Sequence, residues 1–462
     1  MTFLSPSFYA FFAGILLMLW KIKKEKYRQL ILLFASFVFY LMLSPRYLLM
    51  LIGMSVVFYM GGILIRRNNQ KKKAYLAVFI IMCAGLLAYF KYYNFFARQV
   101  SVFLNRPYTE VSVLMPLGIS YYMFQGISYL FDVYKGVIAP ETSFVNIVLY
   151  IAFFPQMLSG PIVKAKDFMP QLYKDHSLKK ENFIESLPLF LVGLFKKVVI
   201  ADRIGAGVDV VFSSPSAYSS ASLWIAVIGY SVQLYCDFSG YSDMAIAIGK
   251  MLGYDLGINF DIPYIANSPS DFWKRWHISL SSWLKEYVYI PLGGSRKGEI
   301  RAYVNLIITM FISGVWHGSK ITFVIWGLAY GLWSCINRFF EKKIYNKSDE
   351  KIIVNVLRRI ITIALVFLLW VPFRTESVRK TLVIYNRMFV PTNGIEYFPV
   401  FTIIYSLIVM ALMIYMYIKS GHRIYFKMDI RTFKGKFEIC LIVLLIAMFG
   451  YIGNGAFIYS NF

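Results

Sequence analysis

Apolar runs long enough, or nearly long enough, to cross a lipid bilayer recur from one end of the chain to the other. The candidate runs lie near residues 3–20, 29–43, 47–65, 74–90, 111–131, 144–158, 183–200, 221–236, 303–316, 319–340, 352–371, 397–418 and 437–457. Hydrophobic residues make up 58% of the sequence and charged residues 16%, a balance that soluble domains do not reach. The sequence therefore predicts an all-α polytopic membrane protein with roughly 11 to 13 membrane segments, re-entrant ones included.

The chain is strongly basic, with 48 Lys and Arg against 24 Asp and Glu and a formal net charge of +24. The basic residues gather in loops near 21–28, 66–73, 164–180, 341–359 and 419–436. Because cytoplasmic loops carry an excess of Lys and Arg, these loops are predicted to be cytoplasmic, which places the N-terminus outside. The charge also favours anionic lipid headgroups, so membrane lipid, and not nucleic acid, is the expected partner of this surface.

The order of loops and apolar runs identifies one segment that does not cross the bilayer. The runs 74–90, 111–131 and 144–158 lie between the basic loops 66–73 and 164–180. An odd number of crossings cannot return the chain to the same side. The shortest run, 144–158, also contains or precedes helix-breaking Pro and Gly residues, and we predict that it is the run that is either not a membrane span or re-entrant.

His277 lies in a segment with its own helix start and stop signals. Ser268 is a suitable N-cap, Pro269 suits the first helical position, and Pro291 closes the segment after Tyr289. The pattern predicts an interfacial helix with Trp and Leu side chains on one face and basic side chains on the other. His277 then has two interpretations: packing among tryptophans in a surface anchor, or a functional imidazole beside the membrane.

His317 ends the apolar run 303–316, and the next run returns to a basic segment. A helical hairpin of this kind places His317 deep in the membrane, where ionisable side chains are costly and usually functional. Gly314 and Gly318 flank the histidine and are predicted to let the backbone open there. The imidazole is either a general base reachable from both sides or a core histidine satisfied by a neighbour.

Two carboxylates, Asp237 and Asp243, occur in an otherwise apolar stretch. At membrane depth each needs a partner or a water-filled cavity. They are expected to pair with the arginines of the following segment or to line a polar tunnel. Their local spacing is a poor geometry for glycosidase-like acid and base catalysis.

Other familiar chemistry has no signature in the sequence. There is no nucleophile elbow, Walker loop, dinucleotide fingerprint or His/Cys spacing for a metal ion, so no bound metal is predicted. The four cysteines lie in or beside apolar runs and are interpreted as packing residues. A reaction at the histidines would therefore draw its activated group from a small co-substrate.

An ordered set of short motifs resembles the membrane-bound O-acyltransferase family, and within it the branch that O-acetylates alginate, peptidoglycan and other polysaccharides. The motifs occupy residues 116–125, 132–136, 154–161, 233–243, 263–264, 271–280, 289–297 and 316–318. The resemblance is close over about 110–335, flanked by peripheral helices at 1–109 and 336–462. It implies one integral-membrane domain over 1–462 in the cytoplasmic membrane of a bacterium.

The resemblance also implies roles for individual residues. His317 matches the family's key catalytic histidine and His277 matches its second one. The further candidates for lining a substrate tunnel are Trp276, Trp316, Asp237 and Asp243. The acyl donor is expected to be acetyl-CoA, used as a co-substrate with no permanently bound cofactor. Its phosphates suit the basic cluster formed by Lys274, Arg275, Arg296 and Lys297.

The expected acceptor is an extracytoplasmic polysaccharide, reached with a secreted or membrane-anchored acetyltransferase that resembles SGNH hydrolases. Two alternatives remain open at this point. One is D-alanyl transfer to teichoic acid from a carrier protein, which an acidic carrier docking on the basic loops would support. The other is a transporter of polysaccharide or acyl donor, which would move its substrate without consuming a thioester.

Overall fold

A computed structural model describes residues 2–111, 113–176, 178–343, 352–420, 428–451 and 457–458. Within these ranges the chain is helical, and its β-structure is one isolated bridge between Tyr218 and Ile395. The predicted all-α class is therefore confirmed. The predicted basic loops at 341–359 and 419–436 lie partly outside the described residues.

The helices up to residue 251 are α1 (Pro6–Lys21), α2 (Glu25–Leu43), α3 (Leu48–Arg67), α4 (Lys72–Phe103), α5 (Ile119–Lys135), α6 (Phe144–Ala152), α7 (Ala165–Phe168), α8 (Lys180–Phe195), α9 (Asp202–Ser213) and α10 (Ser220–Met251). The later helices are α11 (Pro269–Arg275), α12 (Ile278–Leu284), α13 (Glu299–His317), α14 (Ile321–Lys343), α15 (Ile352–Arg374), α16 (Val378–Phe389), α17 (Val400–Ser420) and α18 (Phe433–Phe449). Two π-helical turns, Lys196–Ala201 and Lys285–Tyr289, follow α8 and α12 directly.

Several helices have the length and composition of membrane spans. Among the described residues, five segments meet both criteria: Glu25–Leu43, Pro45–Arg67, Lys72–Phe103, Ile352–Arg374 and Val400–Lys419. The predicted total of 11 to 13 membrane segments also includes shorter or more polar helices, and that total stays a prediction. The polytopic helical architecture itself follows from the five spans and the helical content.

The segment 144–158 contains only the short helix α6. Its nine residues rise roughly 14 Å, less than half of a hydrocarbon core of about 30 Å. The helix starts at a capped position, because the Ser143 side chain accepts a hydrogen bond from the backbone N–H of Asn146. The segment is therefore too short to cross a bilayer as a helix, in keeping with the parity of the basic loops.

The described chain divides into two compact units. The first unit comprises Met1–Leu187 with Met244–Gly257, and the second comprises Pro188–Asp243 with Ile258–Phe462. His277 and His317 both belong to the second unit, as do both aspartates of the candidate tunnel. A single integral domain over 1–462 remains our proposal for the organisation in the membrane.

Glycines bring α13 and α14 into close contact within the second unit. An added Cβ at Gly314 would lie 2.4 Å from the carbonyl oxygen of Phe323, and one at Gly327 would lie 2.4 Å from that of Met310. Small residues at such positions let two membrane helices approach closely. The prediction that Gly314 opens the backbone was wrong, because α13 continues through it and ends only at His317, before Gly318. The close helix contact explains the glycine instead.

We expect Gly314→Ala to lower the thermal stability of the protein, because the clashing atom is backbone and cannot rotate away. Overpacking of this kind typically costs about 1 to 3 kcal/mol. The matched control is Gly85→Ala in α4, where an added Cβ meets nothing within 4 Å and alanine favours the helix. Melting temperatures of the two purified variants in detergent test this, and equal values would remove the packing argument.

Candidate active site

His277 lies at a break between two helices. Helix α11 ends at Arg275, His277 adopts a left-handed conformation with φ 43° and ψ 55°, and α12 begins at Ile278. The prediction of one helix through this residue was therefore wrong, although the predicted start was right: the Ser268 side chain accepts a hydrogen bond from the Asp271 N–H at 3.1 Å. A non-glycine residue with positive φ is uncommon and costs free energy, so the surroundings must hold it there.

The irregular segment 259–261 hydrogen-bonds to the chain on both sides of the break. The backbone N–H of Asp261 donates to the Arg275 carbonyl at 2.8 Å, and that of Ile278 donates to the Asn259 carbonyl at 2.9 Å. These two bonds use groups on either side of His277 that a continuous helix would have paired internally. Helical periodicity carries no information about such a partner, which explains why the sequence predicted a helix here.

The imidazole of His277 is buried and hydrogen-bonded on one side. Its Nδ1 lies 3.1 Å from Oδ1 of Asn259, and the same oxygen accepts a hydrogen bond from Ser279 Oγ at 2.9 Å. The ring of Phe238 packs edge-on against it with centroids 4.7 Å apart. Burial lowers the pKa of His277 to about 3, so the ring is neutral at physiological pH.

Sequence reasoning missed Asn259. The residue is fully buried, and its side chain joins His277 to Ser242 of α10 through a 3.0 Å hydrogen bond from its Nδ2 to the serine Oγ. A lone asparagine in an irregular segment matches no motif with a stated chemistry. The only signal in the sequence is its polarity inside an apolar part of the chain.

His317 lies at the C-terminal end of α13 inside a cage of aromatic rings. Its ring centroid is 5.1 Å from that of Trp326 on α14 and 5.0 Å from that of Phe373 on α15, both in edge-on geometry. The Trp316 ring lies at 4.8 Å. Only 2% of His317 is exposed. The cage holds the imidazole on three helices and excludes bulk water from it.

Trp316 contacts both candidate catalytic histidines. Its ring centroid lies 6.2 Å from that of His277 and 4.8 Å from that of His317. The fold thus brings together two histidines that are separated by 40 positions in the sequence. Trp276 takes a different place, since it packs within the core of the second unit, 4.9 Å from Trp370 and 5.1 Å from Phe260.

Asp237 and Asp243 form buried ion pairs with lysines. Lys197 Nζ lies 2.5 Å from Asp237 and 2.8 Å from Asp202, and Lys196 Nζ lies 2.7 Å from Asp243. The expectation of pairing is thus confirmed, but the expected partners, the arginines of the following segment, were wrong. The lysines come from the π-helical turn Lys196–Ala201, which packs against α10 from earlier in the chain.

The four basic residues that were predicted to bind the acyl donor differ in their surroundings. Arg275 is engaged internally, with its Nε 2.9 Å from Asp271 and its Nη1 3.7 Å from Asp261. Lys274, Arg296 and Lys297 are exposed. The latter two belong to the turn that precedes α13, where Asn305 donates a 2.9 Å hydrogen bond to the Gly294 carbonyl. The exposed pair Arg296 and Lys297 is therefore better suited to an anionic ligand than Arg275.

The sequence is similar to those of several known proteins. The chain is 37% identical over 397 residues to the probable alginate O-acetylase AlgI of Pseudomonas aeruginosa, with 84% of this chain and 75% of the relative covered. It is 36% identical over 403 residues to the peptidoglycan O-acetyltransferase of Helicobacter pylori, covering 81% and 76%. Similarity to the teichoic acid D-alanyltransferase of Bacillus subtilis is lower, 27% identity over 302 residues, covering 62% of this chain and 75% of the relative.

The profile of the membrane-bound O-acyltransferase family matches residues 137–371. This range contains both histidines, Trp316, Asn259 and both aspartates, whereas the motifs at 116–125 and 132–136 precede it. The matched range and the high coverage of the relatives agree with the polytopic helical architecture. On this evidence the chain is an acyltransferase that belongs to the membrane-bound O-acyltransferase family.

Proposed function

We propose that the protein transfers acetyl groups from cytoplasmic acetyl-CoA to hydroxyl groups of an extracytoplasmic polysaccharide, working with a secreted or membrane-anchored partner. The observation that carries the proposal is the pair of buried histidines joined by Trp316 within the family's matched range. The relatives named for acetylation of alginate and peptidoglycan support an acetyl group and a glycan acceptor.

The proposed reaction uses the imidazole of His317 as a general base. The acceptor oxygen attacks the carbonyl carbon of the thioester while its proton passes to the imidazole. The C–S bond breaks, and the proton then goes to the departing thiolate of CoA, which leaves the acceptor acetylated. The aromatic cage around His317 favours transfer over hydrolysis, because water would compete with the acceptor for the thioester.

The length of α13 supports a reaction site far from the basic loops. Its 19 residues rise about 28 Å, close to the thickness of a hydrocarbon core. Helix α13 begins beside Arg296 and Lys297 and ends at His317, and α14 returns to Lys342 and Lys343. With the basic loops in the cytoplasm and the N-terminus outside, we place His317 towards the extracytoplasmic side, within reach of an acceptor there.

Neutralising the exposed pair in Arg296→Gln/Lys297→Gln is expected to raise the KM for acetyl-CoA by roughly 10-fold. A hydrogen bond to a charged group contributes about 1.5 to 3 kcal/mol, and 1.4 kcal/mol corresponds to a factor of ten. The matched control neutralises Arg379 and Lys380 at the start of α16, which should leave the KM unchanged. An equal KM in both double variants would assign Arg296 and Lys297 to lipid headgroups alone.

Release of CoA thiol from acetyl-CoA by the purified protein with its partner and a glycan acceptor tests the proposed function. We expect turnover that depends on all three. Turnover only with a D-alanyl carrier protein would favour the teichoic acid reaction instead. Movement of polymer across the membrane without thioester consumption would replace the enzyme by a transporter.

A further inference from the structure

The side-chain amide of Asn259 has only one orientation that satisfies its neighbours. The atom facing Ser279 lies 3.3 Å from the backbone N of Ser279 and 2.9 Å from its Oγ. A backbone N–H can only donate, so this atom must be the amide oxygen. The opposite end lies 3.0 Å from the hydroxyl oxygen of Ser242, which accepts from the amide nitrogen. Turning the amide over would place two donors face to face in a fully buried site.

The fixed amide determines which ring nitrogen of His277 carries the proton. The Asn259 oxygen lies 3.1 Å from Nδ1 of His277. Because an amide oxygen only accepts hydrogen bonds, Nδ1 must be the protonated nitrogen. A neutral imidazole has one N–H, so Nε2 then holds the lone pair. The low pKa that burial gives His277 keeps the ring in this neutral form.

We propose that Asn259 is a positioning residue that holds His277 as the Nδ1–H tautomer, so that Nε2 acts as a hydrogen-bond acceptor during acyl transfer. The part of this inference that concerns transfer rests on the proposed function. An accepting Nε2 suits a histidine that orients the acceptor hydroxyl. It does not suit a donor to the oxyanion that forms on the thioester carbonyl. The two histidines therefore have different roles. His317 removes the proton of the acceptor hydroxyl, and His277 orients that hydroxyl.

The strained backbone at His277 agrees with this role. Positive φ at this residue is held by the bonds of Asp261 and Ile278 on either side of it, and Asn259 supplies both the backbone and the side-chain partner. One residue thus fixes the position of the ring and its tautomer together. In functional histidines, a hydrogen-bond partner on one ring nitrogen commonly fixes the orientation of the ring and the protonation of the other nitrogen.

Nitrogen NMR of the ¹⁵N-histidine-labelled full-length protein in nanodiscs tests the tautomer directly. The chain has only four histidines, so His277→Gln assigns the signal. We expect the proton of His277 on Nδ1 in the wild type and in Asn259→Asp, whose carboxylate still accepts, and a population with Nε2–H in Asn259→Ala. Asn305→Ala is the control, because Asn305 is equally buried but bonds to Gly294. A wild-type proton on Nε2 would overturn the proposal whether or not the protein proves to be an acetyltransferase.

The activity of the same variants tests the contribution to transfer. Asn259→Ala should lose about 10- to 100-fold in kcat, by analogy with metal-bound histidines that lose their orienting partner. Asn259→Asp should retain more activity. The acidic limb of its pH–rate profile should shift to higher pH, because a new carboxylate raises the pKa of the His277 imidazole. The ion pairs close to Asn259 and Ser242 in the sequence, Asp261 with Arg275 and Asp243 with Lys196, are unchanged in both variants, as is His317 beside Trp316.

The NMR spectra and the activities together distinguish a failure of the proposed tautomer, of the positioning role and of the proposed function. The expected tautomers together with the expected rates support the proposal. The expected tautomers with wild-type rates in Asn259→Ala would overturn the positioning role, provided that the wild type turns over acetyl-CoA. Wild-type protein without thioester turnover would contradict the proposed function, and the NMR result would still decide the tautomer. Melting temperatures of the variants show whether a lost rate reflects a lost fold.

Discussion

Replacement of His317 by alanine is expected to abolish acyl transfer while the protein remains folded and inserted. The indole and phenyl rings that surround it, those of Trp316, Trp326 and Phe373, do not accept a proton at neutral pH and cannot replace the imidazole as a base. Loss of a general base typically lowers a rate by about 10²- to 10⁴-fold. The measurement is CoA release by purified protein at matched concentration, together with the acetyl content of the polymer in cells.

A third buried histidine, His176, provides the control for this experiment. His176 belongs to the first unit, where its Nδ1 lies 3.1 Å from Glu25 and its ring stacks on Tyr254 at 4.1 Å. We expect His176→Gln to retain acyl transfer, because the side chain takes no part in the candidate site. Near-normal acetylation in a well-expressed His317→Ala strain would contradict the catalytic assignment.

The second large effect is expected on stability, in Lys197→Met. The Lys197 ammonium forms ion pairs with both Asp237 and Asp202 in the second unit, and only 2% of its side chain is exposed. Removal of one partner from a buried ion pair leaves an uncompensated charge and typically costs about 3 to 5 kcal/mol. We expect a clear fall in melting temperature and in the yield of folded protein.

The matched control is Lys250→Met, which removes a lysine from an exposed pair. Lys250 and Glu185 are 2.7 Å apart, but their side chains are 46% and 57% exposed, and such pairs contribute only about 0 to 1 kcal/mol. Asp237→Asn distinguishes structure from a tunnel role: we expect lower stability with near-normal transfer per folded molecule. A normal melting temperature combined with lost transfer would assign Asp237 to the substrate path instead.

The parts of the site that were predictable from the sequence are those with local signals. The cap at Ser268 was predictable because its chemistry lies within three residues. The choice of His277 and His317 as candidates depends on short motifs that are specific. The break at His277 was not predictable, since it depends on pairing with residues 259–261 across an irregular connection. The lysine partners of Asp237 and Asp243 were also missed, because no sequence pattern connects a π-helical turn to a helix 40 positions later.

The role of Gly314 shows the same limitation at the level of packing. A glycine near a candidate catalytic histidine is compatible with a backbone opening as well as with a close helix contact, and periodicity does not distinguish the two. The distance from its position to the Phe323 carbonyl decides for the contact. The sequence therefore identified Gly314 as a residue of interest, but its role became clear only from the packing of α14 against α13.

Acetyl transfer across a sealed membrane is the decisive test of the proposed function. Proteoliposomes with one orientation would receive acetyl-CoA labelled in the acetyl group on the side of the basic loops, with partner and glycan acceptor enclosed on the other side. We expect labelled glycan inside and free CoA outside in wild-type vesicles, and neither in His317→Ala vesicles. Labelled glycan in equal amount without the His317 imidazole, or intact acetyl-CoA recovered inside, would contradict it.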